Sequence, residues 1–234
     1  MTSGEQQLAL FPLDLVLVPS LVLPLHIFEP RYRQLLSDVQ AENPMQPQFG
    51  IVAADPYRFD DYGIHKVGTV GRITEVEGLD DGRSNITVVG QERFRILALS
   101  NERPYLTARV AYLPEDNVRG DSAGADESAP DEDLRLTALA VRCASLFQRW
   151  RAMISDVDEM EDALVGADED PHLLSYILTA AVFLPTRTRQ RLLEADSTRT
   201  RLTMLGSILE REISAVSALP SLAWSVDEVR QSPN

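Results

Sequence analysis

The spacing of apolar residues changes near residue 114, and this change constrains the fold more than any other feature of the chain. Before it, apolar residues come in short, often β-branched runs separated by turn residues, the pattern of strands. After it, they recur at three- and four-residue intervals, the pattern of helices buried along one face. The chain is therefore predicted to be α+β, with the strands first and the helices second.

Strands are predicted at 8–13, 21–27, 47–53, 65–77, 84–90, 93–99 and 105–113. Asp80-Asp81-Gly82 predicts a hairpin turn of type I′, where the central residues take positive φ. Gly90-Gln91-Glu92 predicts the next turn. One helix interrupts the strands: Pro30 suits a first helical position, and Tyr32, Leu35, Leu36 and Val39 share a face. Helices follow at 132–154, 157–165, from Asp170-Pro171 onward, at 187–195 and at 197–216. Asp170 is the expected N-cap of the third of these. The predicted division is a β domain at 8–113, an acidic flexible linker at 114–131, a helical bundle at 132–216 and a tail at 217–234.

With 234 residues, the chain has room for a sizeable core without disulfides or metals to staple it. Glycine and proline, at 12 and 14 residues, are at ordinary levels, which excludes collagen-like and low-complexity folds. Net charge is −14 and Lys66 is the one lysine. An acidic chain lacks the footprint that binds phosphate backbones or anionic lipid. The lone Cys143 cannot close an internal disulfide, and Met1 to Glu5 has no basic leader character. The longest uncharged run, Pro171 to Thr186, is 16 residues, shorter than a membrane span of about 18 or more apolar residues. These features predict a cytoplasmic protein without a membrane segment. The Asn85-Ile86-Thr87 sequon has no meaning in that setting.

There is no P-loop and no HExxH. Gly120-Asp121-Ser122-Ala123-Gly124 matches GxSxG in letters, but it falls in the stretch expected as an acidic linker, not between a strand and a helix. A Ser–Lys dyad would have to use Lys66, which sits in a strand-like stretch as a solvent-facing residue. His26, His65 and His172 do not pair at metal-ligand spacing with one another or with Cys143, so no metal and no cofactor is expected. Cys143 lies on the apolar stripe of its helix and reads as core. The carboxylates Asp156, Asp158, Glu159, Glu161 and Asp162 lack the calcium-loop pattern and read as a solvated helix face. Gly68-Thr69-Val70-Gly71 matches a GxxG loop, but among strand residues, where RNA-binding KH domains place it between helices. The chain is expected not to be an enzyme.

The segment Leu21 to Tyr32 is the unusual one. It is dominated by apolar residues and interrupted by Pro24 and Pro30. A strand with so little polar alternation is either buried on both faces or covered by a partner. Glu29 stands at the start of the following helix, where negative charge is favourable, with Arg31 and Arg33 as its candidate partners.

Four blocks carry a family resemblance. They are Leu10-Phe11-Pro12-Leu13 with Val18-Pro19; Leu23-Pro24-Leu25-His26-Ile27-Phe28-Glu29-Pro30-Arg31-Tyr32; Val67-Gly68-Thr69-Val70; and Gly90-Gln91-Glu92-Arg93-Phe94-Arg95-Ile96. Phe49-Gly50, Asp81-Gly82-Arg83 and the helical Leu184-Pro185 with Arg189-Gln190-Arg191-Leu192-Leu193-Glu194 also fit. The chain resembles the N-terminal, substrate-binding domain family of Lon proteases, as a stand-alone member lacking the ATPase and protease domains. The resemblance implies a PUA-like β-barrel-type domain followed by an α-helical bundle. It departs from the family at Ser20, where a turn glycine is expected after Val18-Pro19.

The function implied is a non-catalytic recognition module for protein or peptide segments, unfolded or degron-bearing, with a protease as a candidate partner. A hydrophobic groove is expected where Leu23–Tyr32 meets the helical half. His26, Phe28 and Tyr32 are its expected contacts, with Glu29, Arg31 and Arg93 setting polarity. The alternative is RNA binding, which PUA-like folds support, with Arg93, Arg95, Arg103 and Arg109 lining one sheet face. The net charge of −14 weighs against nucleic acid.

Overall fold

The structure is a computed structural model and describes residues 6–55, 62–114, 129–154 and 170–218. The strands are β1 (Gln6–Leu13), β2 (Val22–Ile27), β3 (Gln48–Ala53), β4 (Val67–Gly78), β5 (Ser84–Ser100) and β6 (Thr107–Tyr112). Helix α1 (Pro30–Glu42) follows β2. The sheet order is β2-β5-β4-β3-β1-β6, and a further β5–β6 pairing closes five of the strands into a barrel. Only β1–β3 is parallel. β2 is left outside the ring as an edge strand on the first half of β5.

The turn expected at Gly90-Gln91-Glu92 is not a turn. β5 runs unbroken from Ser84 to Ser100. Gly71 of β4 faces Gly90 and Thr69 faces Arg93, so Gln91 and Glu92 together oppose Val70. This is a β-bulge, which draws on the same glycine and polar residues as a turn but bends the strand instead of reversing it. The bend lets one strand pair with β2 and β4 first and with β4 and β6 afterwards. The Asp80-Asp81-Gly82 hairpin also differs from expectation. Only Gly82 has positive φ, at 78°, and its N–H donates to the Leu79 carbonyl at 2.9 Å. That is a three-residue loop ending on a glycine bulge, not a type I′ turn.

The barrel closes tightly because glycines face Phe94. A Cβ on Gly50 or on Gly68 would come within 2.7 Å of the Phe94 Cζ, and the ring itself is fully buried. Leu8, Leu10, Val52, Val70 and Val110 pack around it. Helix α1 covers a second cluster. Tyr32, Leu35, Leu36 and Val39 pack with Phe11, Phe49 and Ile51, and Tyr32 stacks on Phe11 with ring centroids 4.0 Å apart.

The turn after Val18-Pro19 is type II: the Leu21 N–H reaches the Val18 carbonyl at 3.3 Å and Ser20 has φ 66°. Ser20 thus occupies the left-handed conformation that favours glycine. Its N–H donates to the Gly90 carbonyl, and the Gly90 N–H donates to the Leu21 carbonyl. Gly90 has no Cβ because the Val18 carbonyl lies where one would be.

The helical half contains α2 (Ala129–Ile154), α3 (Pro171–Ala181), α4 (Thr186–Leu193) and α5 (Thr198–Ala218). Asp170 caps α3 as expected, its carboxylate accepting the N–H groups of His172 and Leu173. Ala140, Cys143, Phe147 and Trp150 of α2 pack with Leu174 and Leu178 of α3 and Leu202, Leu205 and Leu209 of α5. Cys143 is core, and burial pushes its thiol up to about 11. Most of the acidic linker, the acidic cluster with the helix expected at 157–165, and all but the first two residues of the expected tail lie outside the described residues. Among the described residues, no helix is long and apolar enough to cross a membrane.

Two substitutions test this account. Ser20→Gly relieves the left-handed strain and is expected to stabilise the protein by about 0.5–1 kcal/mol, seen as a raised urea midpoint. Gly68→Ala forces a methyl against Phe94 and the Ile51 carbonyl, and is expected to destabilise by about 1–3 kcal/mol in the same titration.

Candidate binding surface

The barrel and the bundle share one packed junction. Val16, Val18, Ala53 and Val67 of the barrel side meet Tyr176 and Leu193 of the helices. Arg93 crosses this junction. Its Nη1 donates to the carbonyls of Leu193 at 2.8 Å and Ala195 at 2.6 Å, and its Nη2 reaches the Pro114 carbonyl at 3.4 Å. The last carbonyls of a helix have no partner within it, and a cation there also suits the helix dipole. Gln190 adds a bond from Nε2 to the Val67 carbonyl at 3.0 Å. His65 sits between Asp55 and Glu194, at 3.9 and 3.8 Å. Arg93 is 2% exposed. It holds the two halves together, which corrects the sequence expectation that it sets the polarity of a binding surface.

Beside this junction lies an apolar groove of about 450 Å³. One wall is the Val18–Val22 turn and the start of β2; the other is the α3 face carrying Tyr176, Ile177, Ala180 and Ala181. Tyr176 is held from behind by Arg201, whose guanidinium carbon stands 3.9 Å from the ring centroid. Arg201 is itself fully buried, donating to the Leu192 carbonyl and to Ser175 Oγ. The groove was expected at Leu23–Tyr32; it opens earlier in the chain, and none of the six expected site residues lines it.

Those six residues separate into distinct environments. His26 is exposed on β2 and bonded to Asn85 at 2.8 Å. Phe28 is 58% exposed, its ring centroid 6.0 Å from that of His26. Glu29 and Arg31 pair with each other at 2.8 Å. The Arg31 guanidinium carbon lies 4.5 Å from the Tyr32 ring centroid. Tyr32 is core, 7% exposed, and burial raises its phenol above the usual range. His26 and Phe28 are thus neighbours at the surface, whereas Tyr32 and Arg93 are structural.

The arginines weighed for RNA do not form one face. Arg93 is buried, and Arg103 is taken up by Glu42, Asp38 and the Tyr105 hydroxyl. Among the described residues, no group of three or more His, Cys, Asp or Glu could hold a metal ion. What this surface offers chemically is apolar contact on a rigid backbone.

Sequence reasoning missed Pro19, Tyr176, Ile177 and Ala180 as groove residues. Ser20, noted for its unexpected side chain, was the one local signal of the lip.

Comparison with known proteins bears on the family and the fold. The sequence profile of the ATP-dependent protease La (LON) substrate-binding domain matches residues 7–211. The chain is 28% identical over 209 residues to Lon protease 2 of Syntrophobacter fumaroxidans, covering 89% of this chain and 25% of that protein. It is 26% identical over 200 residues to the Lon protease of Anaeromyxobacter dehalogenans, covering 84% and 22%. The chain spans about a quarter of the length of the curated relatives it matches. Among solved structures, the Lon N-terminal domain protein from Xanthomonas campestris aligns with a TM-score of 0.58 at 22% identity, covering 86% of this chain and 98% of that one. The N-terminal domain of the Mycobacterium avium complex Lon protease aligns at 0.57 and 21% identity, covering 89% and 98%. At that identity the likeness establishes the fold.

The distinction between structural and surface residues is measurable. Arg93→Ala leaves buried carbonyls without their charged donor and is expected to cost about 3 kcal/mol or more in urea unfolding. Phe28→Ala and Arg31→Ala, at exposed positions, are each expected to stay within about 1 kcal/mol of the parent.

Proposed function

Because the chain belongs to the ATP-dependent protease La (LON) substrate-binding domain family, we propose that it is a non-catalytic module that recognises protein substrates through the groove between its barrel and its bundle. The occupant is an extended segment of an unfolded or degron-bearing protein. The observation that carries this reading is the apolar groove itself, open to solvent and walled by the Val18–Val22 turn and α3.

A folded protein surface offers few contiguous apolar residues, whereas an unfolded chain presents many. A groove of this kind therefore selects for chain that is not folded. Pro19 and the type II turn fix one wall, and a helix supplies the other. Little ordering entropy is then lost on binding. The exposed His26 near the end of β2 and Phe28 just beyond it are proposed as contacts at the edge of the site.

The relatives are proteases, and this chain aligns with about a quarter of each. The part of proteolysis we assign to it is capture of the client. Delivery to an ATP-dependent protease is the step that would follow.

The test uses a reduced, carboxymethylated protein as a permanently unfolded, fluorescently labelled client. Val22→Asn puts a polar group at the mouth of the groove, at a position already 57% exposed. Ala181→Phe fills the groove from α3. Each is expected to weaken binding about tenfold by anisotropy, as loss of one buried apolar contact predicts, with unchanged circular dichroism. Unaltered affinity in both well-folded variants would overturn the groove as the site.

A further inference from the structure

The groove does not end at Val22. It continues onto an open sheet face with a different chemistry. Over Ser84–Val89, β5 lies between β2 and β4, and the register aligns three cross-strand rows. Val22, Val89 and Arg72 form the row nearest the groove. Pro24, Thr87 and Glu75 form the next, and His26, Asn85 and Glu77 the third. Side chains in register across neighbouring strands share a face, so all three rows look the same way.

Glu75 and Glu77 line a shallow depression of about 390 Å³ in this face, together with Pro24, His26, Asn85 and Thr87. Each carboxylate accepts from one neutral donor: Thr87 Oγ1 to Glu75 at 3.3 Å, and Asn85 Nδ2 to Glu77 at 2.9 Å. Neither is paired with a cation among the described residues. Glu29, Asp81 and Glu210, by contrast, each have an arginine partner. Two carboxylates without a cation, side by side on one strand face and next to an apolar groove, call for a cationic occupant.

Resting on the groove reading above, we propose that the preferred client is an extended segment with an apolar residue followed, at alternate positions, by two basic residues. The apolar side chain enters the groove beside Val22, and the basic ones meet Glu75 and Glu77. The spacing follows from strand geometry. Alternate residues of an extended chain are about 6.8 Å apart, the same repeat that separates Glu75 from Glu77. The order follows from Arg72, which occupies the first row and repels a basic residue there.

The probe is a short fluorescein-labelled peptide with leucine, arginine and arginine at alternate positions separated by serines. Matched peptides replace both arginines by glutamate, or the leucine by serine. At low salt the full-length protein is expected to prefer the arginine peptide over the glutamate peptide by about tenfold or more, with the preference shrinking as salt is raised. Glu75→Gln with Glu77→Gln is expected to bring the two peptides within about threefold of each other. Glu92→Gln with Glu102→Gln makes the same change in net charge on other parts of the surface and is expected to keep the preference.

A preference that survives the Glu75/Glu77 double variant would mean a general negative field and would overturn the proposal. Equal binding of arginine and glutamate peptides, still dependent on leucine, would overturn it while leaving the groove reading in place. Arginine preference without leucine dependence would instead count against the groove and support the acidic face. No binding of any peptide, with the unfolded client still bound, would overturn the proposal alone.

Discussion

The guanidinium of Arg93 at the C-terminal end of α4 is the contact on which the rest of the molecule depends. A strand residue rarely reaches a helix terminus in another layer. Here the bulge at Gln91 and Glu92 makes it possible, since it shifts the β4–β5 register just before Arg93. The charge then satisfies the carbonyl of Leu193, the last residue of α4, and that of Ala195 just beyond it. With α4 held against the barrel, α3 lies alongside the Val18–Val22 turn and Tyr176 enters the shared core. The groove is the space left between two elements whose positions this contact sets.

The architecture was legible because it follows local rules. The switch from strand to helical spacing near residue 114 marks the order of the two halves, and Pro30 and Asp170-Pro171 mark helix starts. Several of the residues that carry the family resemblance turn out to be structural. Gly50 and Gly68 make room for Phe94, and Gly90 makes room for the Val18 carbonyl. Arg93 binds α4, and Tyr32 stacks on Phe11. Gly90-Gln91-Glu92 was misread because glycine and polar residues suit a turn and a bulge equally. What separates them is the register of β4, and the sequence of β5 alone does not contain it.

The candidate site was less legible for a related reason. Its walls come from segments more than 150 positions apart, Val18–Val22 and Tyr176–Ala181, and neither looks like a site in isolation. The apolar face of α3 has the spacing of any packed helix. The segment Leu23 to Tyr32 attracted attention because it is apolar and broken by prolines. Half of that character belongs to core packing of Ile27 and Tyr32, and the rest to an edge strand whose Val22, Pro24 and His26 are exposed. Proline within an edge strand removes a donor that a stray strand could use, so Pro24 protects the edge it occupies.

Ser20 connects the strain in the fold to its use. A residue other than glycine at φ 66° is held there only because its surroundings overdetermine it: the Pro19 ring on one side, and bonds to Gly90 on the other. The same bonds fasten the groove's lip to β5, the strand that carries Arg93. The lip and the helical half that supplies the opposite wall are therefore both tied to one strand, Gly90 bonding the lip and Arg93 the end of α4. A groove anchored in this way has its width set by the fold. On the proposed reading, selectivity among clients would then come from what lies beyond the lip, where the apolar wall gives way to the carboxylates of β4.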